Sequence, residues 1–373
     1  MSDRVKVIDK KICHMTSVHG RYDIRIFHKE CKSLSKAGYE VHLIVADGKG
    51  DEVIDHITIH DVGKSKNRFV RMWKTTKRVL NKARKVNADL YHFHDPELLV
   101  VGLLLKGENK HVIYDVHEDL PRDILAKEWI HPWLRKLISK LVEAFENFAA
   151  KKFSAIVVVV NSIKERFDKM STSSVIINNF PILDEFKEIN AWKDRKNEIC
   201  FVGGISKARG IFPLVRSLDG SDYTLNLAGR YSSKGLREEL RKTPGWKNVN
   251  EKGYLDRLSV KKILDRSKVG IVHVFPSLNS IAPQPNKLFE YMAAGIPAIV
   301  AKVPHWKNIV EKNNCGICVN IENPEEIAKA VGYLLGNQKE AEIMGLNGRK
   351  AVEEIYNWSK EEKKLISLYE SLL

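Results

Sequence analysis

Runs of β-branched and other apolar residues that do not alternate with polar ones most limit what this chain can fold into. They fall at 11–16, 41–46, 57–62, 90–94, 112–116 and 155–160, then at 199–202, 225–228, 269–275, 298–300 and 317–319. A strand that is apolar at consecutive positions is covered on both faces, as in a parallel sheet sandwiched by crossover helices. Helix-length segments do separate these runs, with helices expected at 211–218, 234–241, 259–266, 287–294, 303–311 and 325–335. The expectation is α/β: two Rossmann-like, doubly wound domains with ligands at the carboxyl ends of the strands. A chain of 373 residues has room for both. The segment 178–196, with Pro181 and mixed charge, is the expected boundary. It gives a first domain over 1–180, a second over 181–357, and a last helix at 358–373 that rejoins the first.

Several function classes are set aside by composition. No apolar run approaches the ~20 residues that cross a bilayer, and Met1 to Lys11 is too polar for a signal peptide, so a cytoplasmic protein is expected. Cys315 and Cys318 form a C-x-x-C inside an apolar run, with no second pair to complete a zinc site; they read as core thiols. No DxD-like pair ends a strand, so neither a metal nor another cofactor is expected. The net charge of +15 is concentrated in Lys64–Lys85, which holds ten basic residues and no acidic one. No nucleic-acid-binding module accompanies it, and nucleic acid is not an expected partner. Phe69, Trp73, Thr76 and Leu80 share one helical face there, which suits docking on an anionic membrane or packing on the sheet. Trp129, Trp133 and Leu137 mark a second candidate surface within 129–141.

Six segments carry possible chemistry. In Pro283–Pro297, two prolines hold a loop and Asn286 is placed to cap the helix that follows. Free amides and Lys287 would then make an anion site, with Leu288 next to it and Glu290 about one turn along. An ordinary αβ unit with a surface Lys and Glu fits the same residues. Phe201–Gly210 runs from a strand into a turn with Gly203 and Gly204, ahead of Lys207 and Arg209, as a phosphate-binding turn would. Tyr114–Pro121 places His117 and Glu118 at a strand end, and His94-Asp95-Pro96-Glu97 ends another strand in the same way. Ser17–Asp23 contains Gly20, and Gly253-Tyr254 follows a strand of the second half.

Pro283–Pro297 resembles the donor-binding stretch of retaining glycosyltransferases of family 4, and the resemblance extends over essentially the whole chain. It implies the GT-B fold, with an acceptor domain and a donor domain facing each other across a cleft. The second Glu of the family's Glu-x7-Glu motif binds the donor ribose and matches Glu290; the first position is Ala282 here. Of the two cations that grip the diphosphate, one position is Gly204 and the other is Arg209. Lys207 is a possible substitute for the missing one. His117 matches a His near the donor sugar, while His94, Asp95 and Glu118 would face the acceptor. Gly20 and Tyr254 would approach the phosphates and the nucleobase. The implied reaction is metal-independent, retaining transfer of a hexosyl or N-acetylhexosaminyl group from a nucleoside-diphosphate sugar, with UDP favoured. Its acceptor would be a lipid-linked or polysaccharide hydroxyl in bacterial surface glycan synthesis. A nucleotide-sugar epimerase and a catalytically silent sugar-nucleotide-binding subunit are the rivals, the latter because of Ala282 and Gly204.

Overall fold

The computed structural model describes residues 8–67, 70–125, 127, 130–170, 172–275 and 285–373. Their contacts divide them into two units. The first holds residues up to Asn179 together with Ser359–Leu373, and the second runs from Phe180 to Trp358.

The sheet of the first unit has eight strands: β1 Lys11–Met15, β2 Glu40–Val45, β3 Glu52–Ile54, β4 Ile57–Asp61, β5 Leu90–Phe93, β6 His111–Val116, β7 Ala155–Val158 and β8 Ser174–Ile176. Their order is β3-β4-β2-β1-β5-β6-β7-β8, and only the β3–β4 pair is antiparallel. Every residue of β5 and β7 is buried, as unbroken apolar runs require. Register puts His14 of β1 beside His92 of β5.

The second unit has β9 Glu198–Val202, β10 Thr224–Ala228, β11 Val249–Gly253, β12 Val269–Val272, β13 Ala298–Ala301 and β14 Gly316–Val319, all parallel, in the order β11-β10-β9-β12-β13-β14. The order reverses between β9 and β12. Neighbouring crossovers diverge at such a point, and the strand ends are left open for a ligand. Helices Ile211–Arg216, Lys234–Arg241, Arg257–Arg266, Asn286–Ala293, Pro304–Asn313 and Pro324–Gly336 stand close to where the sequence places them. Cys315 and Cys318 are free thiols, and burial pushes them up to about 12 and about 11.

The basic segment requires a correction. Its helix opens with a wide π turn, Arg71–Thr75, and continues as an α-helix over Thr76–Val86. The residues packed on the sheet are Thr75, Val79, Leu80, Ala83 and Val86. Trp73 is 78% exposed, and Phe69 lies outside the described residues. The i→i+5 turn rotates the residues before it away from the phase of the α-helix, so the expected stripe is not one face. Several cations are also paired: Arg71 with Glu97, Lys82 with Asp51 and Arg84 with Glu108. The longer apolar surface belongs to the helix Pro132–Ala150, where Trp133, Leu137, Leu141, Phe145 and Phe148 recur at three- and four-residue spacing and are all exposed. Trp129 lies outside the described residues. Among the described residues no helix is long and apolar enough to cross a membrane.

Candidate functional site

At the switch point, the chain leaving β9 turns at Gly203 with φ of 129°, a conformation that only glycine adopts without strain. A Cβ there would also lie 2.3 Å from Cε and Nζ of Lys287. The ammonium therefore rests against the bare face of the glycine, and it sits 4.7 Å from the ring centre of Phe201. Arg209 ends the short turn Lys207–Arg209, and its Nη1 would be 3.5 Å from the same Cβ; a Cβ on Gly204 would be 3.8 Å from its Cζ. Two glycines thus face two cations. The side chain of neither Arg209 nor Lys287 has an ion pair or hydrogen bond among the described residues. Burial, and then Arg209, push the Lys287 ammonium down to about 7. Two unpaired, half-buried cations beside a helix N-terminus make a place for a multiply charged anion.

Around this pair the expected residues divide. Asn286 does not cap the helix: Pro285 takes the cap position, Asn286 is the first helical residue, and its Oδ1 is buried without a partner among the described residues. A proline cap has no side-chain acceptor to offer, so the first amides gain no side-chain bond. Leu288 is fully buried, and its side chain serves the core. Glu290 accepts a 2.6 Å hydrogen bond from Arg257 on Oε1, while its Oε2 has no partner among the described residues. Arg257 is held in turn by Glu185. Lys207 does not replace a cation over Gly204, because its ammonium lies 2.8 Å from Glu239. Tyr254, at the end of β11, is 69% exposed with the Arg230 guanidinium 4.0 Å over its ring, so it is not a packing residue. Ala282 lies outside the described residues.

Two residues here escaped sequence reading. His273, just past β12, is buried with neither ring nitrogen bonded among the described residues, and its Nδ1 would be 3.6 Å from a Cβ on Gly210. Burial lowers it to about 3, so the ring is neutral. Arg257 is the other; an arginine in a polar helix carries no signal of its role.

In the first unit, charge is paired. Arg25 donates to both carboxylate oxygens of Asp115 at 2.8 and 3.0 Å, and Asp115 Oδ2 also bonds His117 Nε2 at 2.8 Å and His94 Nδ1 at 3.1 Å. Burial opposes ionisation of Asp115, yet Arg25 and the histidines hold it well below the usual carboxylate range. His117 is half-buried, fixed through one nitrogen. His94 is buried beneath it, so it supports His117 and its side chain does not face an acceptor. Asp95 is likewise occupied: its Oδ2 accepts from Thr16 Oγ1 at 2.8 Å and the Ser17 amide at 2.6 Å, which fastens the loop after β1. In that loop a Cβ on Gly20 would meet nothing within 4 Å. His19 of the same loop bonds Asp23 at 3.2 Å and lies with its ring 5.5 Å from that of His117. Glu118 is exposed, and burial followed by Glu118 pushes Asp123 up to about 6. Two clusters have donor atoms close enough for one metal ion, His94–Asp115–His117 and His14–Glu30–His92–His94. Arg25 already occupies the carboxylate of the first.

Known proteins align with both units. Residues 183–351 match the family described as glycosyl transferases group 1, and residues 25–180 match Glycosyltransferase Family 4. The uncharacterized glycosyltransferase MJ1607 of Methanocaldococcus jannaschii is 25% identical over 253 residues, 62% of this chain and 63% of that protein. MJ1069 of the same organism is 22% identical over 58% of this chain and 57% of its own length, so the chain spans less than two thirds of these relatives. Among solved structures, sucrose-phosphate synthase of Thermosynechococcus elongatus shares the fold with a TM-score of 0.77 at 17% identity, covering 97% of this chain and 99% of that one. Anabaena HepE, solved with UDP and glucose, shares it with a TM-score of 0.74 at 13% identity over 97% and 100%.

Proposed function

We propose that this chain, a glycosyltransferase of GT-B type by its two family domains and its fold, moves a sugar from a nucleoside-diphosphate donor to an acceptor hydroxyl with retention of configuration. The observation that carries this reading is the convergence of Arg209 and Lys287 on Gly203 and Gly204 where the strand order reverses. Charge develops on the diphosphate as the glycosidic bond breaks. Fixed cations and the first amides of the Asn286–Ala293 helix would stabilise it without reorganisation and without a metal. Glu290 Oε2 would take a ribose hydroxyl, its other oxygen being fixed by Arg257. Tyr254 is open to a base, and His117 would serve the transferred sugar. HepE has been solved with UDP-glucose, which favours a UDP-sugar as donor and a hexosyl or N-acetylhexosaminyl group as cargo.

The acceptor in this proposal is a lipid-linked or polysaccharide hydroxyl of bacterial surface glycan, reached from the cytoplasmic face of the membrane. The exposed stripe on Pro132–Ala150, with Lys136 and Lys140 on the same helix, is a better docking surface than Trp73 and its neighbours. A binding-only reading draws support from Gly204, which stands where the family has its arginine and leaves Arg209 without that second cation beside it.

The test is a panel of nucleoside diphosphates and their sugars, scored by thermal stabilisation and then by turnover. At a hundred times its Kd, a ligand confined to the folded state adds about 2.7 kcal/mol. UDP and one UDP-sugar should stabilise the chain, and Arg209→Ala should weaken the effect without abolishing it. Stabilisation by none of them would sink the proposal, and binding without turnover would leave the silent subunit.

A further inference from the structure

The second histidine cluster is a product of strand register. His14 and His92 are direct neighbours on β1 and β5, and His94 lies two residues on, so all three rings stand on one face of the sheet. Glu30, from the π-helix Ile24–Cys31, reaches into them. Its Oε2 is 3.8 Å from His14 Nδ1, 3.8 Å from His94 Nε2 and 4.0 Å from His92 Nδ1, while His14 Nδ1 and His94 Nε2 are 3.0 Å apart. All four side chains are fully buried. Neither oxygen of Glu30 has a hydrogen-bond partner, although Arg25 Nε lies 3.1 Å from Oε1.

A relay of protons accounts for the histidines but not for Glu30. Tyr369 O–H can donate to His14 Nε2 at 3.1 Å, His14 Nδ1–H to His94 Nε2, and His94 Nδ1–H to Asp115. Glu30 gains nothing from it, because gaps of 3.8–4.0 Å are too long for hydrogen bonds. Its one close charge, Arg25 at 3.1 Å from Oε1, is shared with Asp115, and Oε2 stays without a hydrogen bond among the described residues. Those gaps have another reading. A tetrahedral ion held at about 2.0–2.2 Å by nitrogen and oxygen sets its ligands about 3.3–3.6 Å apart. Four of the six separations, at 3.0, 3.8, 3.8 and 4.0 Å, bracket that edge, and all the donor atoms lie within 4.8 Å of one another, so closure needs shifts of no more than about an ångström.

We propose that His14, Glu30, His92 and His94 hold one first-row divalent cation of the Zn(II) class in a closed, structural site. Imidazole nitrogens with one carboxylate are the donor set such ions take. The outer partners are in place. Asp115 accepts from His94 Nδ1 and so turns the Nε2 lone pair toward Glu30, and the Tyr369 hydroxyl can accept from His14 Nε2 and leave Nδ1 for the ion. His92 exchanges its 2.7 Å bond to Tyr369 for the metal. The ion lies in the first unit, whereas the diphosphate contacts proposed above lie in the second, so the donor chemistry stays metal-free.

The test uses the full chain, made without a polyhistidine tag in Zn(II)-supplemented medium and dialysed before elemental analysis. The expected result is about one equivalent of zinc that resists dialysis, because a buried ion is bound in the course of folding. Glu30→Gln and His92→Gln should each fall below about a tenth of an equivalent, with UDP stabilisation showing that the second unit is still folded. Folded wild-type chain without zinc, or variants that retain as much as wild type, would overturn the proposal. If neither variant can be purified, Co(II)-loaded wild type decides. Four-coordinate d–d bands without thiolate charge transfer support the site, and a thiolate band places the ion on cysteine instead.

Discussion

Both sheets end in a concentration of charge at their carboxyl edges, and the two edges treat it oppositely. In the first unit Arg25 is saturated: it bonds both oxygens of Asp115 and the Ile177 carbonyl, and it lies against Glu30. In the second, Arg209 and Lys287 face each other over two glycines, and among the described residues neither side chain is paired with a carboxylate. Elsewhere that unit does pair its charges, as in Arg257 between Glu185 and Glu290. Unpaired cations persist beside those pairs only at a cost, since like charges and partial burial both disfavour them. The difference separates a charge that holds structure from a charge that, in the function proposed above, would meet an anion.

The contrast can be broken most forcefully at Arg25. Arg25→Met leaves Asp115 and Glu30 buried without their cation, and we expect a loss of about 3–5 kcal/mol in denaturant unfolding. A loss below about 1 kcal/mol would mean the network is not structural.

Arg209→Ala should do the reverse. Its stability should change by less than about 0.5 kcal/mol, while kcat falls by the equivalent of about 2–4 kcal/mol with the best donor. Unchanged turnover, or a large loss of stability, would make Arg209 a structural residue like Arg25.

Lys287 sharpens the comparison through pH. Its folded value of about 7 lies below the ordinary 10.5. Between those values the unfolded chain binds more protons, so Lys287 makes stability rise with pH from about 7 to about 10.5. A bound diphosphate restores the charge. Donor binding at pH 8 should therefore take up a proton, and affinity should weaken toward tenfold per pH unit above 7, or about 1.4 kcal/mol. Calorimetry in buffers of different ionisation enthalpy measures the uptake, and Lys287→Arg should remove it. No proton uptake would mean that the ammonium does not touch the anion.

The smallest effect concerns Glu290. Glu290→Gln should cost about 1 kcal/mol of donor affinity and cost nothing with a 2′-deoxy donor. An equal penalty for both donors would confine Glu290 to holding Arg257.

How far these features were legible depended on whether one segment carried the signal. Lys287, Arg209 and Gly203 sit in local motifs that announce a turn or a helix start, and they meet as those motifs imply. Arg257 acquires its role from distant partners, Glu185 and Glu290, and His273 is set against Gly210 by the tertiary fold, so no spacing reveals either. Short edge strands were missed for the same reason: Glu52–Ile54 and Ser174–Ile176 have three residues each, and Val249–Gly253 is mostly polar. The helix Gln338–Glu354 was concealed by Gly345 and Gly348, which look like breakers. A Cβ on Gly345 would lie 2.2 Å from the Gly295 carbonyl, so glycine there lets that helix settle close against the turn after Asn286–Ala293. In the basic segment the periodic signal itself misled, because a π turn displaced its phase.

Tyr369 closes the histidine cluster of the first unit from a helix that follows the whole of the second. Its bond to His92 spans 277 residues and its bond to His14 spans 355. During synthesis at about 5–20 residues per second, tens of seconds separate His92 from its partner. The first unit therefore leaves the ribosome unfinished, with polar side chains exposed that it later buries. Its last folding step waits for an entire second domain to be made, so a pause or a premature stop late in the message damages the part of the protein that was made first.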